Sequence, residues 1–451
     1  MLSKEKDRNL KTFYSTFDEQ LSHQHPLFKL ANLIDWQSFE EHFNHLYSKK
    51  KGRPSKRIRL MCGLLILKHV RNVSDESIVE QWSENAYYQY FCGEISFTPN
   101  QPCNSTELVH FRKRIGEKGV ELILKESIRV CKANNDKDQN NSGTAFIDST
   151  VQEKNITFPT DAKLLKKIIK KCLEIDKKES LPIRQTYTFN LKKLFRDQRF
   201  RNHPKNRKKV RCSDRKLKSI AGRLVRELER NLGHGSSYQA LIDFYKKVLS
   251  QTKKSKDKIY SLHEPETECI SKGKDYKKYE FGNKVSIIRT ASGLIIGALS
   301  FRKEYDGHTI GTALEQVKNL IGEYPTLLAG DRGYRGLKQY KETKIVIPGV
   351  PLKRDSRYQR EKKRKLFRSR AAIEPTIGHL KSDHRLNRNF YKGLFGDAIN
   401  IMLAAAAYNF KRAMNALQLY TFLILKSYFT KNISIFKNVQ FLNKNIRLSN
   451  I

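Results

Sequence analysis

Acidic residues are scarce in this chain: 46 Asp+Glu stand against 88 Lys+Arg, and the formal net charge is +42 over 451 residues. Solubility alone needs far less charge, so the imbalance implies a polyanionic partner. Cysteine is also thin. The seven, Cys62, Cys92, Cys103, Cys131, Cys172, Cys212 and Cys269, are odd in number, widely spread and form no C-x-x-C pair. That spacing excludes a disulfide framework and the usual zinc or redox motifs, and fits a reducing cytoplasm. The longest apolar run, Leu417 to Leu425, is interrupted by Gln418 and Thr421 and falls far short of the roughly 20 residues that span a bilayer. The charged opening Met1-Leu2-Ser3-Lys4 carries no apolar core, so no secretory leader and no membrane partner are expected. Internal repeats are absent. With 38% apolar residues the chain can build real cores, spread over two or three domains.

From Phe28 to Val130 the apolar spacing is helical. A basic run, Lys49 to Arg57, leads into the periodic segment Leu60 to Val70. Ser74 is placed to cap a second helix, Glu76 to Phe91, and the pair joined by Arg71 to Ser74 has the outline of a helix-turn-helix, a pattern that plain helical packing also produces. A third helix is expected from Ser105 to Val130, then a polar linker from Lys132 to Ser142. This gives a helical N-terminal domain at 1–135, expected to bind DNA.

Thr144 to Thr150 is a run of strand-formers that delivers Asp148 near its end, with a second extended piece at Asn155 to Phe158. Ala162 to Leu173 reads as an amphipathic core helix. Between Tyr187 and Arg230, 16 Lys+Arg face 4 Asp+Glu, with Tyr187, Phe189, Phe195 and Phe200 interleaved. That composition suits a phosphate backbone, and Lys192, Lys193, Arg196, Lys208, Lys209 and Arg211 are the candidate DNA contacts. Strand periodicity returns at Lys284 to Thr290 and Gly293 to Phe301, joined as a hairpin, followed by a helix from Thr309 to Gly322. Pro325 to Gly336 is a buried-strand run that again delivers an aspartate, Asp331, before a glycine-rich turn. Ile345 to Ile347 is a further strand, Lys353 to Arg370 is strongly basic, and Ala398 to Ala416 is an alanine-rich core helix. The tail at 416–451 has no assignable pattern.

The order is strand with Asp148, helical insertion, two strands, helix, strand with Asp331, strand, and a helix with Glu374. It is the order of a ribonuclease-H-like α/β core at 140–415, interrupted by a basic helical insertion at about 162–258. In that fold the first and fourth strands are neighbours, so Asp148 and Asp331 are expected side by side. Two carboxylates about 4 Å apart repel by roughly 4 kcal/mol at an effective dielectric of 20, so keeping both ionised requires a cation. An all-oxygen ligand set of Asp148, Asp331 and Glu374 points to two Mg²⁺ ions, with Mn²⁺ as a substitute.

Glu374 lies in Arg368 to Lys381, a lone acid among cations. At 100° per residue Arg370, Glu374 and Lys381 share one helix face beside an apolar stripe of Ile373, Ile377 and Leu380. Pro375 requires the helix to begin or kink there.

Three motifs together carry a resemblance: Ile147-Asp148-Ser149-Thr150 with Gln152 and Lys154; Gly330-Asp331-Arg332-Gly333-Tyr334; and Ile373 to His384. Across nearly all of residues 28 to 415 the chain resembles the DDE transposases of bacterial insertion sequences, in the group usually called family five. The family's Tyr-Arg-Glu-Lys signature maps onto Phe367, Arg370, Glu374 and Lys381, with phenylalanine where tyrosine is usual. The resemblance implies that the three acids are catalytic and bind metal. It also implies that Arg370 and Lys381 hold DNA phosphates, and that the protein works in a bacterial cytoplasm as a homodimer on paired terminal inverted repeats, joining them to target DNA. Two other readings of the residues are a structure-specific nuclease of the ribonuclease H type and a non-catalytic nucleic-acid-binding derivative. Strand joining separates the first, and the presence of all three acids disfavours the second.

Overall fold

Strand-formers at 144–151 begin a central strand, and the remaining strands assemble on either side of it. The computed structural model describes residues 15–48, 52–134, 143–182, 184–233, 235–252, 254–271, 277–349 and 354–418. The strands are β1 (Thr144–Lys154), β2 (Glu268–Ser271), β3 (Tyr279–Thr290), β4 (Ile295–Phe301), β5 (Leu327–Ala329), β6 (Gln339–Tyr340), β7 (Thr343–Val346) and β8 (Arg388–Asn389). Their order is β2-β3-β1-β5-β7-β6, with β4 also paired to β3 and β8 to β1. β3 and β4 are the expected antiparallel hairpin, while β1, β5 and β7 run parallel. The piece expected as a second strand at Asn155 to Phe158 is irregular. β1 itself continues to Lys154, after which the Ile156 N–H donates back to the Lys154 carbonyl and turns the chain.

The chain divides into two compact units, 1–152 with 284–451, and 153–283. In the first unit the helices are α1 (Phe17–Gln20), α2 (Pro26–Leu33), α3 (Trp36–Phe43), α4 (Ile58–Val70), α5 (Asp75–Glu84), α6 (Ala86–Phe91) and α7 (Ser105–Ala133). The second unit holds α8 (Asp161–Lys178), α9 (Thr188–Asp197), α10 (Arg207–Leu232) and α11 (Gln239–Ser250). The first resumes with α12 (Ile310–Ile321), α13 (Arg357–Arg370), α14 (Ile373–Asp383) and α15, 393–418. The second unit has its own core of Ile168, Ile169, Leu217, Leu224 and Ile242. It is wider than the insertion expected at 162–258. The N-terminal helices, expected as a separate domain at 1–135, share one hydrophobic cluster with the sheet and with α15. Asn409 ties these parts together. Its amide donates to the Ile295 carbonyl at 2.9 Å and to Ser127 Oγ at 3.1 Å, and its oxygen accepts from the Ile295 N–H. Part of the basic run at 49–51, most of the linker and the tail beyond 418 lie outside the described residues.

The two helices with the outline of a helix-turn-helix are closely packed. Every residue of α4 except Arg59 is buried, and α5 carries Asp75, Glu76, Glu80 and Glu84 with no cation of its own. Ser74 does cap it, accepting from the Ser77 N–H, but Asn85 breaks the expected helix and caps α6.

Candidate active site

Register decides where the two aspartates go. Thr144 pairs with Leu327, Ala145 with Leu328 and Phe146 with Ala329. Continued by two residues, the same register sets Asp331 opposite Asp148, just past the end of β5. Side chains two apart on a strand share a face, so Phe146 lies under Asp148 and Ala329 under Asp331. Ile373 of α14 packs against both Phe146 and Ala329. The residue after it, Glu374, is exposed and faces the aspartates closely enough to repel Asp148.

Arg370 and Glu374 do not share a continuous helix: the break expected at Pro375 is present, and it separates two residues expected on one helix face. α13 ends at Arg370, and α14 starts at Ile373. Pro375 has no N–H to offer the Ala371 carbonyl, so the ladder is cut there. Arg289, a buried cation on β3, holds the break: its guanidinium donates to the Ala372 carbonyl and to Thr376 Oγ1 at 2.6 Å. Ile373, Thr376 and Leu380 are buried, and Ile377 packs beside them, so the apolar stripe docks α14 as expected. Lys381 follows on the last turn and is half-buried.

The electrostatics of Asp148 are those of a crowded acid. Burial pushes its carboxyl above the usual carboxylate range; the Ser149 N–H and the Arg370 guanidinium pull it down, and Asp331 and Glu374 push it up again. Oδ1 accepts from the Ser149 N–H at 2.8 Å, and Arg370 Nη1 approaches Oδ2 at 3.4 Å. Asp331 Oδ1 accepts from the Gly333 N–H at 2.8 Å and caps the short turn Arg332–Tyr334. A Cβ at Gly333 would come within 3.0 Å of Asp331 Oδ1 and 3.6 Å of Asp306 Oδ2, which explains the glycine.

Asp306 is a further acid of the site that no sequence motif marks. Its Oδ2 accepts from the Ser149 hydroxyl at 2.7 Å and its Oδ1 from Lys284 Nζ at 2.8 Å. Tyr334, fully buried, shares a hydrogen bond with Ser286, and its phenol is pushed up by burial and by the charges of Asp306, Asp148 and Asp331. Gln152 is also buried. Its amide donates to Asp397, and its oxygen accepts from Asn400.

Among the described residues no three His, Cys, Asp or Glu side chains come together closely enough to hold one ion. The structure therefore brings Asp148 and Asp331 side by side and leaves Glu374 near them without closing the set. The donor chemistry fits a hard divalent cation, since only oxygens converge and two of the acids repel. Arg370 supplies the positive charge in this arrangement.

On the second unit Lys192, Lys193, Arg196, Lys208 and Arg211 are exposed on α9 and α10; Lys209 pairs with Asp197 at 3.0 Å. Phe189 and Phe200 are exposed between them, whereas Tyr187 and Phe195 pack against the helical core. No described helix is long and apolar enough to cross a membrane.

Comparison with known proteins finds matches over two stretches of the chain. Residues 15–114 match the family described as "Transposase domain (DUF772)", and residues 251–410 match "Transposase DDE domain". A protein of Rhizobium meliloti named "Uncharacterized protein ORF8 in nfe locus" is 37% identical over 176 residues, which cover 39% of this chain and 84% of that protein. No solved structure matches the chain.

Proposed function

Because the chain belongs to the DDE transposases of insertion sequences, we propose that it binds its element's terminal inverted repeats, cuts them hydrolytically and joins the freed 3′-hydroxyl to target DNA. The observation that carries this reading is the parallel pairing of β1 with β5, whose register sets Asp148 opposite Asp331. Asp148, Asp331 and Glu374 would hold divalent metal, two Mg²⁺ ions with Mn²⁺ able to substitute. Bound metal supplies Lewis acidity to the attacking water or hydroxyl and to the leaving oxygen.

The chain's own groups do the rest. Neutralising the aspartates frees Arg370 from Asp148 to bind a phosphate, and Lys381 binds a second from the far end of α14. Arg289 keeps the break before Glu374 fixed, so that the acid stays over the strand ends. The exposed cations of α9 and α10, Lys192, Lys193, Arg196, Lys208 and Arg211 with Lys209, grip the DNA backbone. Two copies holding paired ends complete the complex, which acts on DNA in the cytoplasm. Phe367, Arg370, Glu374 and Lys381 support the finer family-five assignment.

The experiment is a joining assay with labelled terminal-repeat duplex, target plasmid and Mg²⁺. Joined product supports the proposal. Cleavage with no joining would make the protein a nuclease, and binding with neither would make it a non-catalytic derivative.

A further inference from the structure

A cavity of about 670 Å³ lies in the first unit, among α4, the start of α5, α7 and residues 385–399. Its wall is positively charged. Lys68 and Arg112 are both almost fully buried, yet they share a single carboxylate, Asp75. Lys68 Nζ donates to Oδ1 at 2.8 Å, and Arg112 donates to both oxygens at 2.7 Å each. Lys113, Arg385 and Lys392 add three more cations to the lining, and Glu76 is the other acid there. An anion is therefore favoured inside.

The rest of the lining is aromatic and apolar. Phe390 is 56% exposed, with the Arg385 guanidinium 5.4 Å from its ring centre. Tyr391 is clasped between Lys68 at 4.6 Å and Arg112 at 4.4 Å. A small anion would leave an exposed phenyl ring without purpose, and an apolar ligand would leave the cations unmatched. A flat ring joined to a phosphate satisfies both.

We propose that this cavity binds one unpaired nucleotide unit, its base on Phe390 and its phosphate toward Lys392 and Lys113. The site is tied to the strand of Asp148. Asn389 Nδ2 donates to Asp397 Oδ1 at 2.6 Å, the Tyr391 N–H donates to Asn389 Oδ1 at 2.8 Å, and Gln152 donates to the same Asp397 oxygen. Gln152 lies four residues beyond Asp148 on β1, about 13 Å along the strand. The nucleotide is either free or part of a single DNA strand; in the second case the inference rests on the DNA-binding reading above.

The test is equilibrium dialysis of the full chain with labelled dAMP, a labelled six-nucleotide single strand and a fully paired duplex. Saturable binding of dAMP or of the single strand, one per chain, is expected. Phe390→Ala should weaken it about 5- to 150-fold, the range for loss of one base–aromatic stack, while Phe390→Trp keeps it. Lys392→Ala should weaken it too. Binding of dAMP identifies a free nucleotide as the source, and binding of the single strand alone identifies DNA. The site is refuted if the wild type saturates with neither, or if Phe390→Ala binds as well as wild type. Failure of the terminal-repeat joining assay above would refute the transposase reading and leave the dAMP result standing.

Discussion

Asp75→Asn is the perturbation whose size the structure fixes best. Burial pushes the Asp75 carboxyl up, but hydrogen bonds and charges from Arg112 and Lys68 outweigh it and bring the pKa down to about 2, from an ordinary 3.8. Because the folded value is the lower one, the carboxylate stabilises the fold above its unfolded pKa, and that stability is lost as pH falls. At about 1.4 kcal/mol per unit, the stabilisation is about 2 to 3 kcal/mol at neutral pH. It begins to fade near pH 4 and is largely gone by pH 2. Asparagine removes the charge and leaves Lys68 and Arg112 buried without a counter-ion, a loss of about 3 to 5 kcal/mol when one partner of a buried pair is removed. Urea unfolding of both proteins between pH 7 and pH 3 measures it. The stability difference should be at least about 2 kcal/mol at pH 7 and should narrow below pH 4. A difference under about 0.5 kcal/mol at pH 7, or one unchanged at pH 3, would show that Asp75 does not compensate the two buried cations.

Other perturbations test other parts of the molecule. Asp148→Asn should raise the thermal midpoint in EDTA, because the ionised form is the one disfavoured in the fold above the ordinary carboxylate pKa; a lower midpoint would contradict the crowding seen at that acid. Neutralising Lys192, Lys193, Arg196, Lys208 and Arg211 together should reduce the log–log salt slope of DNA binding by about 0.9 for each phosphate left without its cation, with Lys209 adding less because Asp197 already holds it. An unchanged slope in a stable variant would mark that surface as merely solvated. Gly307→Ala should destabilise by about 1 to 3 kcal/mol in urea unfolding, since its methyl would collide with the Arg335 carbonyl oxygen beside the turn that carries Asp331.

Much of this site is legible from the sequence, because strand periodicity fixes which residues face together. Phe146 with Asp148, and Ala329 with Asp331, follow from alternation alone, and the element order makes their strands neighbours. Pro375 announces the break before α14 but not its consequence, since a missing N–H does not say which residue ends the preceding helix. Arg289 leaves one signal, a cation directly after the apolar pair Ile287-Ile288 on β3. Asp306 leaves none: its role depends on the approach of the loop 302–309 to Ser149, a long-range pairing that no local pattern encodes. The basic stretch at Lys49 to Arg57 favours a DNA-reading hairpin, whereas the exposed Glu76, Glu80 and Glu84 of α5 weigh against it. The union of the N-terminal helices with the sheet in one core is not legible either, because apolar periodicity shows that a face is buried without naming what buries it.

The proposed reaction requires three acids far apart in sequence to form one metal-dependent centre on DNA. Its most direct measurement is cleavage of a labelled terminal-repeat duplex, titrated with Mg²⁺ and Mn²⁺, by wild type, Asp148→Asn, Asp331→Asn, Glu374→Gln and Lys381→Ala, each with a parallel binding assay. The first three variants should lose cleavage while holding DNA as well as wild type or better, and raised metal should partly restore Glu374→Gln. Lys381→Ala should lose affinity by about 1 to 3 kcal/mol and gain nothing from metal. Near wild-type cleavage by any of the three acid variants at low metal, or rescue of Lys381→Ala by metal, would contradict the proposed division between metal-binding acids and a phosphate-binding lysine.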